Sequence, residues 1–194
     1  AVNKVCQVFL GMQMQCEQCH DHQGTTQQQY YEVASFMTQM QSVNPAEAGG
    51  VARLVNVDVT GSDGSKSEAD LFFHRPNATG VSVYPRFLDG RTLATTSGSV
   101  DAVDRRAEMA KMIVSSPNFA KATMNRLWDK AFGSGFTTPV DDIGSHNPAT
   151  HPKLLEKLAT EFRNHEFNLK SALKWIAMSS AFDRRERSIN SPIS

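Results

Sequence analysis

Cys16, Cys19 and His20, inside the stretch QCEQCHDH at residues 15–22, place two thiols and an imidazole within about one turn of chain. Covalent haem attachment needs two thiols that reach the two vinyl groups and an imidazole for the iron, and C-x-x-C-H supplies all three. In that reading Cys16 and Cys19 form the thioethers of one covalent haem c, and His20 is the proximal axial ligand. Zinc asks for four nitrogen or sulfur ligands. Cys16, Cys19 and His22 would give three, and the sequence has no second cysteine pair. Cys6 would stand about 15 Å from Cys16 along a continuous helix, too far for a fourth ligand or for a disulfide. A redox dithiol prefers a thioredoxin-like βαβ setting, and no such pattern surrounds the motif. The haem reading is therefore preferred, with zinc or a dithiol as the alternatives.

Five further histidines are available to complete such a site. His151 is the candidate distal ligand: in HNPATHP it stands at the mouth of a helix, after a proline-bounded loop that can hold a ring in one direction. Neutral imidazole is a good iron ligand when a second-shell acceptor fixes its tautomer. The expected result is six-coordinate, low-spin iron. His22 and His74 are the fallback ligands or haem contacts. His22 is awkwardly close to His20 for the same iron, and His74 beside two phenylalanines also reads as a core-edge residue. His146 falls in a loop, and His165 suits a helix C-terminus. Met12, Met14, Met37 and Met40 crowd the motif, but methionine at helical spacing usually packs. One of Asp141 and Asp142 is expected to brace the loop through Arg126 or backbone amides rather than to bind calcium. Asn125, Arg126 and Trp128 read as helix-packing residues. No serine, histidine and carboxylate arrangement suggests a hydrolase.

The rest of the composition narrows the class. Of 194 residues, 40% are apolar and 21% charged, with a formal net charge of zero, as in an ordinary globular chain. No block of like charge points to nucleic acid or to a membrane surface. DRRER at 183–187 reads as part of a solvated polar tail, 183–194. No apolar run has transmembrane length, and AVNKVCQVFLG at the start lacks the pattern of a signal peptide. Three cysteines do not make a disulfide framework. Asn77-Ala78-Thr79 matches the glycosylation sequon, a match that is common by chance.

The elements that must position the motif follow from periodicity. Val5, Phe9, Met12, Cys16 and Cys19 recur at steps of three and four, which predicts one amphipathic helix running into the motif. Tyr30, Val33, Met37 and Met40 predict a second, stopping near Asn44-Pro45. VARLVNVDV at 51–59 reads as a strand, GSDGS as a loop and EADLFF as a returning strand, a single hairpin. Residues 74–98 are irregular. Four helices are predicted beyond: one capped by Ser99, one opened by Pro117 and closed by Gly133, one capped by Thr150 and one capped by Asn168. The fold class is mainly α: a helical domain with a small β-hairpin insertion, built around a c-type haem. Its segments are 1–48 with the attachment helices, 49–98 with hairpin and linker, 99–182 as a four-helix-type domain, and the tail.

VFLGMQMQCEQCHDH followed by an aromatic-rich helix resembles the planctomycete cytochrome-c-like domain of large secreted proteins. PRFLDGR, then NRLWDKAFGSGFTTPVDDIGSHNPATHPKLLEKLATEF and FNLKSALKWIAMSSAF, resemble the domain that usually follows it. His151 lies at the matching place in a recurrent segment of that second domain. The resemblance implies a translocated protein, periplasmic, cell-surface or extracellular. Segment 1–48 would then be the C-terminal part of the cytochrome-c-like domain. Gln23 stands where the family writes proline after C-H-D-H, and the family's first domain begins well upstream of VFLG. Val2, Val5, Val8 and Phe9 are accordingly expected to pack on a missing half, supplied by an oligomer or a larger assembly. The function expected is electron transfer by a mono-haem cytochrome domain, with another haem protein or an identical subunit as partner. The alternatives are a haem enzyme with an open distal position, peroxidase-like, and a structural subunit stapled by haem.

Overall fold

The computed structural model describes residues 1–22, 24–44, 50–59, 71–75 and 79–183. The sequon at Asn77, the GSDGS loop, Gln23 and most of the 183–194 tail lie outside them. About 47% of the described residues are helical, so the fold is mainly α, with two small antiparallel hairpins where one was expected. Two compact units form: Ala1–Asn3 with Met14–Ile113, and Lys4–Gln13 with Val114–Ser194.

The opening helix stops well before the cysteine motif. α1 spans Val2–Val5 and continues as a wider π-helical turn over Cys6–Leu10. Gly11 closes it in the left-handed region, φ 62°, and the Gly11 and Met12 N–H groups bond back to the carbonyls of Gln7 and Cys6. Its positive φ favours glycine, and a Cβ there would meet Ile143 Cδ1 at 3.0 Å and Ala122 Cβ at 3.1 Å, contacts tight enough that those side chains would have to shift. The predicted continuous helix from Val5 to Cys19 is thus replaced by a helix, a loop and a separate 3₁₀ turn at Cys16–Gln18. The predicted stripe does not mark the buried face: Phe9, Cys16 and Cys19 are exposed, and Cys6, Leu10 and Met14 are buried instead.

In the first unit, α2 (Gln27–Ala34) begins with a reciprocal cap: Thr26 accepts from the Gln29 N–H while the Gln29 side chain accepts from the Thr26 N–H. It tightens into a 3₁₀ turn at Ser35–Met37, and Met40 enters a strand rather than the helix face predicted for it. β1 (Met40–Val43) pairs with β2 (Arg53–Asn56), and β3 (Leu71–His74) with β4 (Gly80–Val83). The expected pairing of 51–59 with 68–73 is overturned: each strand takes another partner. Alternation specifies a strand and its faces, and leaves the choice of neighbour to the rest of the fold.

α3 (Arg105–Ser115) starts six residues after Ser99, the cap expected for it, and is capped by Asp104, which accepts from the Ala107 N–H at 2.9 Å. Ser99 instead closes a turn through its carbonyl. Arg105 is fully buried and donates to the carbonyls of Ser35, Thr96 and Ser97 and to Thr38 Oγ1. Gln39, also fully buried, accepts from the Arg105 N–H and donates to the carbonyls of Gly98 and Val103. PRFLDGR forms a tight turn in which the Phe87 N–H bonds the Arg91 carbonyl and Arg91 reaches the Met112 carbonyl at the end of α3.

The second unit is built on α4 (Pro117–Phe132), α5 (Pro152–Asn164) and α6 (Leu169–Ala177). Ser116 caps α4 ahead of Pro117, Gly133 closes it at φ 81°, and Asn168 caps α6, as their positions in the sequence predict. Met124, Phe136, Leu155, Phe162 and Ile176 form the buried centre, with Leu127, Trp128 and Trp175 packed against it. Thr150 is not the cap of α5. His151 occupies that position without a capping bond, while the Thr150 hydroxyl donates to the Phe136 carbonyl. Arg126, on α4, holds the end of α1 by donating to the carbonyls of Gln7 and Val8. Burial lowers its pKa, and the charge of Asp141 partly offsets that. Val8 and Phe9 are exposed.

Candidate functional site

The motif is held as a single tight turn. The Cys19 and His20 N–H groups both donate to the Cys16 carbonyl, at 3.1 and 3.2 Å. Cys16 and Cys19 are free and exposed, whereas Cys6 is fully buried. Since α1 ends at Gly11, the helical distance between Cys6 and Cys16 used to separate them does not apply.

Two elements pin this turn from outside. The Gln18 carbonyl accepts from Gln27 Nε2 and from the Tyr31 hydroxyl, each at 3.2 Å, so α2 grips it at both ends of one helical turn. Asp21 Oδ1 accepts from the Gln27 N–H at 2.7 Å, placing a carboxylate at the N-terminus of α2 where the helix favours negative charge. Tyr31 in turn stacks on Phe73 of β3, ring centroids 4.4 Å apart and planes 4° from parallel. Glu17, between the two cysteines, is only 2% exposed, and among the described residues its Oε2 has no hydrogen-bond partner.

His20 is exposed, and its Nδ1 lies 2.9 Å from the Asp21 carbonyl oxygen. A carbonyl only accepts, so Nδ1 is the donor and Nε2 of the neutral ring keeps its lone pair free. Nδ1–H bonded to a carbonyl, with Nε2 left as an acceptor, is a pattern that metal-ligating histidines share. Beside it opens a cleft of about 460 Å³, lined by His20, Asp21, Gln27, Gln28, Phe73 and Arg75 among others.

The remaining expected residues are distributed. His22 comes close to His20, ring centroids 5.8 Å apart and perpendicular, and exchanges backbone bonds with Thr25 across a tight turn. His74 lies on β3, exposed and edge-on to Phe72 at 5.2 Å. His151 belongs to the second unit, exposed at the start of α5. Met14 is fully buried, and Met12 Sδ accepts from Asn118. Asp141 accepts from Gln7 Nε2 and its charge acts on Arg126, the partner expected, while Asp142 pairs with His146 at 2.9 Å. Among the described residues no group of three or more histidine, cysteine or acidic side chains is placed to hold a metal ion. Gln27, Tyr31 and Arg75 were not singled out by sequence reasoning. Their roles depend on contacts across elements and leave no local signal.

Comparison with known families agrees with this layout. Residues 1–42 match PSCyt2 and residues 105–192 match PSD1, each described as a protein of unknown function (DUF1549 and DUF1553). The two matches support the pair of planctomycete domains that the segments resemble, the cytochrome-like domain and the domain that follows it. No curated protein and no solved structure matches the chain. No helix among the described residues is long and apolar enough to cross a membrane.

Proposed function

We propose that Cys16, Cys19 and His20 attach one haem c and that the chain is a mono-haem electron-transfer module of the cell envelope or exterior. The observation that carries this reading is the hydrogen-bond arrangement of the motif turn. Two free, exposed thiols stand in one turn with an imidazole whose Nδ1 is committed to the Asp21 carbonyl, leaving Nε2 for iron. The residues fit the group in type, order and accessibility. When bound, haem supplies a one-electron ferrous–ferric couple, tuned by axial ligand, burial and nearby charge.

The chain's own residues do the rest. Cys16 and Cys19 fix the group covalently, and the Asp21 carbonyl sets the tautomer and direction of the His20 ring. Gln27 and Tyr31 hold the turn through the Gln18 carbonyl, so the three attachment residues keep their relative placement. The electron partner is a second haem, in another protein or in an identical subunit.

Expression in a host with a c-type maturation system, followed by a pyridine haemochrome spectrum and an intact mass of the denatured chain, tests the reading. One added haem is expected, and it is lost when Cys16 and Cys19 are both replaced by alanine. An unmodified mass of the parent chain overturns it.

A further inference from the structure

The cleft beside His20 contains a cation whose bonding is incomplete. Arg75, directly after β3, is exposed and lines the same cleft as His20. Among the described residues its guanidinium makes one hydrogen bond, to Gln28 Oε1 at 3.0 Å, and no carboxylate pairs with it. A guanidinium has five N–H donors in a planar fork, so most of its donor capacity is not used by the described residues. The Gln28 amide is itself fixed, because its Nε2 donates to Glu32 Oε1 at 2.9 Å and Glu32 is buried. Arg75 is thus held by a neutral amide, and among the described residues no carboxylate forms an ion pair with it.

The other charged group of the cleft lining is Asp21, and its Oδ1 is already taken by the N–H at the start of α2. That leaves Arg75 as the group in the lining suited to a planar anion, which a guanidinium binds with two parallel bonds. Resting on the haem reading above, we infer that Arg75 binds a propionate carboxylate of the haem attached at Cys16 and Cys19. Arg75 then sets which edge of the group faces α2 and β3, and its positive charge favours the reduced iron.

The test uses the loaded full chain with Arg75→Gln and Arg75→Lys, read by midpoint potential and by the propionate bending band in the resonance Raman spectrum. Arg75→Gln is expected to lower the potential and shift the propionate band. Arg75→Lys, which keeps the charge and loses the fork, is expected to restore most of the potential but not the band. If Arg75→Gln does not load, Arg75→Lys decides alone: a shifted band supports the contact and an unshifted band overturns it. A loaded Arg75→Gln chain with both readouts unchanged overturns the inference while leaving haem attachment intact. A parent chain that carries no haem overturns both.

Discussion

Asn125 has all of its side chain committed in the second unit, where it is fully buried. Its Nδ2 donates to Thr137 Oγ1 and to the Val140 carbonyl, both at 2.8 Å, and its Oδ1 accepts from the Phe136 N–H at 2.6 Å. Asn125→Ala leaves that N–H and that carbonyl without partners, at about 1–3 kcal/mol for each buried unsatisfied group. A loss of about 2–4 kcal/mol is expected, seen as a lower urea midpoint at unchanged slope. Asp89 provides a pH-dependent counterpart. Its hydrogen bond from the Arg91 side chain is the main cause of a carboxyl pKa below its ordinary value of 3.8. A depressed folded-state pKa stabilises the fold above the ordinary carboxylate range, and the contribution is lost as pH falls through the depressed value. Both side chains are about two-fifths exposed, 43% for Asp89 and 42% for Arg91, so screening keeps the stability effect small. The measurable outcome is a carboxyl titration midpoint for Asp89 below 3.8, moving back up in Arg91→Gln.

At the scale of elements, the helix ends decide most of what positions the site. Gly133 ends α4 at φ 81°, and its N–H bonds the Asp129 carbonyl. Gly133→Ala forces a Cβ into the left-handed region and is expected to cost about 1–2 kcal/mol, checked by thermal unfolding. α2 has the corresponding role at the motif. Its first residue, Gln27, bonds both Asp21 and Gln18, and one turn later Tyr31 bonds Gln18 again. Tyr31→Phe removes one of the two side-chain bonds on the Gln18 carbonyl and keeps the ring on Phe73. It is expected to cost about 0.5–1.5 kcal/mol and to leave covalent attachment intact by mass. Loss of attachment in that variant would show that the bond, rather than the stack, holds the motif turn in place.

Across the whole molecule, the chain does not fold in the order it is written. The second compact unit takes Lys4–Gln13 from the opposite end of the sequence. There the Gln7 and Val8 carbonyls receive Arg126, the Gly11 carbonyl accepts from the Ile143 N–H, and Gln7 bonds Asp141. Leu10 and Cys6 are buried. Deleting residues 1–13 therefore removes part of a unit most of which lies a hundred residues later. Exposure of core at about 1.5–3 kcal/mol per large apolar side chain predicts a fall of about 5 °C or more in the unfolding midpoint reported by Trp128 and Trp175 fluorescence. An unchanged midpoint would mean that α1 is dispensable to the unit. The match to PSD1 begins at residue 105, so it does not include this segment.

The sequence by itself determined what local chemistry can write. The spacing of Cys16, Cys19 and His20, the proline, glycine and asparagine at the ends of α4 and α6, and the mainly helical character all follow from side-chain type and short-range periodicity. Tertiary structure alone decided the rest. It broke the first helix at Gly11, where the backbone turns to φ 62° and Ala122 and Ile143 pack close against it. It also gave β2 and β3 their separate partners, and it buried Arg105 among carbonyls that lie up to 70 positions away in the chain. Apolar spacing alone did not record which residues are buried: the stripe through Phe9, Cys16 and Cys19 is exposed, while Cys6, Leu10 and Met14 are buried across a helix and a loop. The neighbour that buries each residue is chosen by contacts between distant segments, which local patterning does not encode.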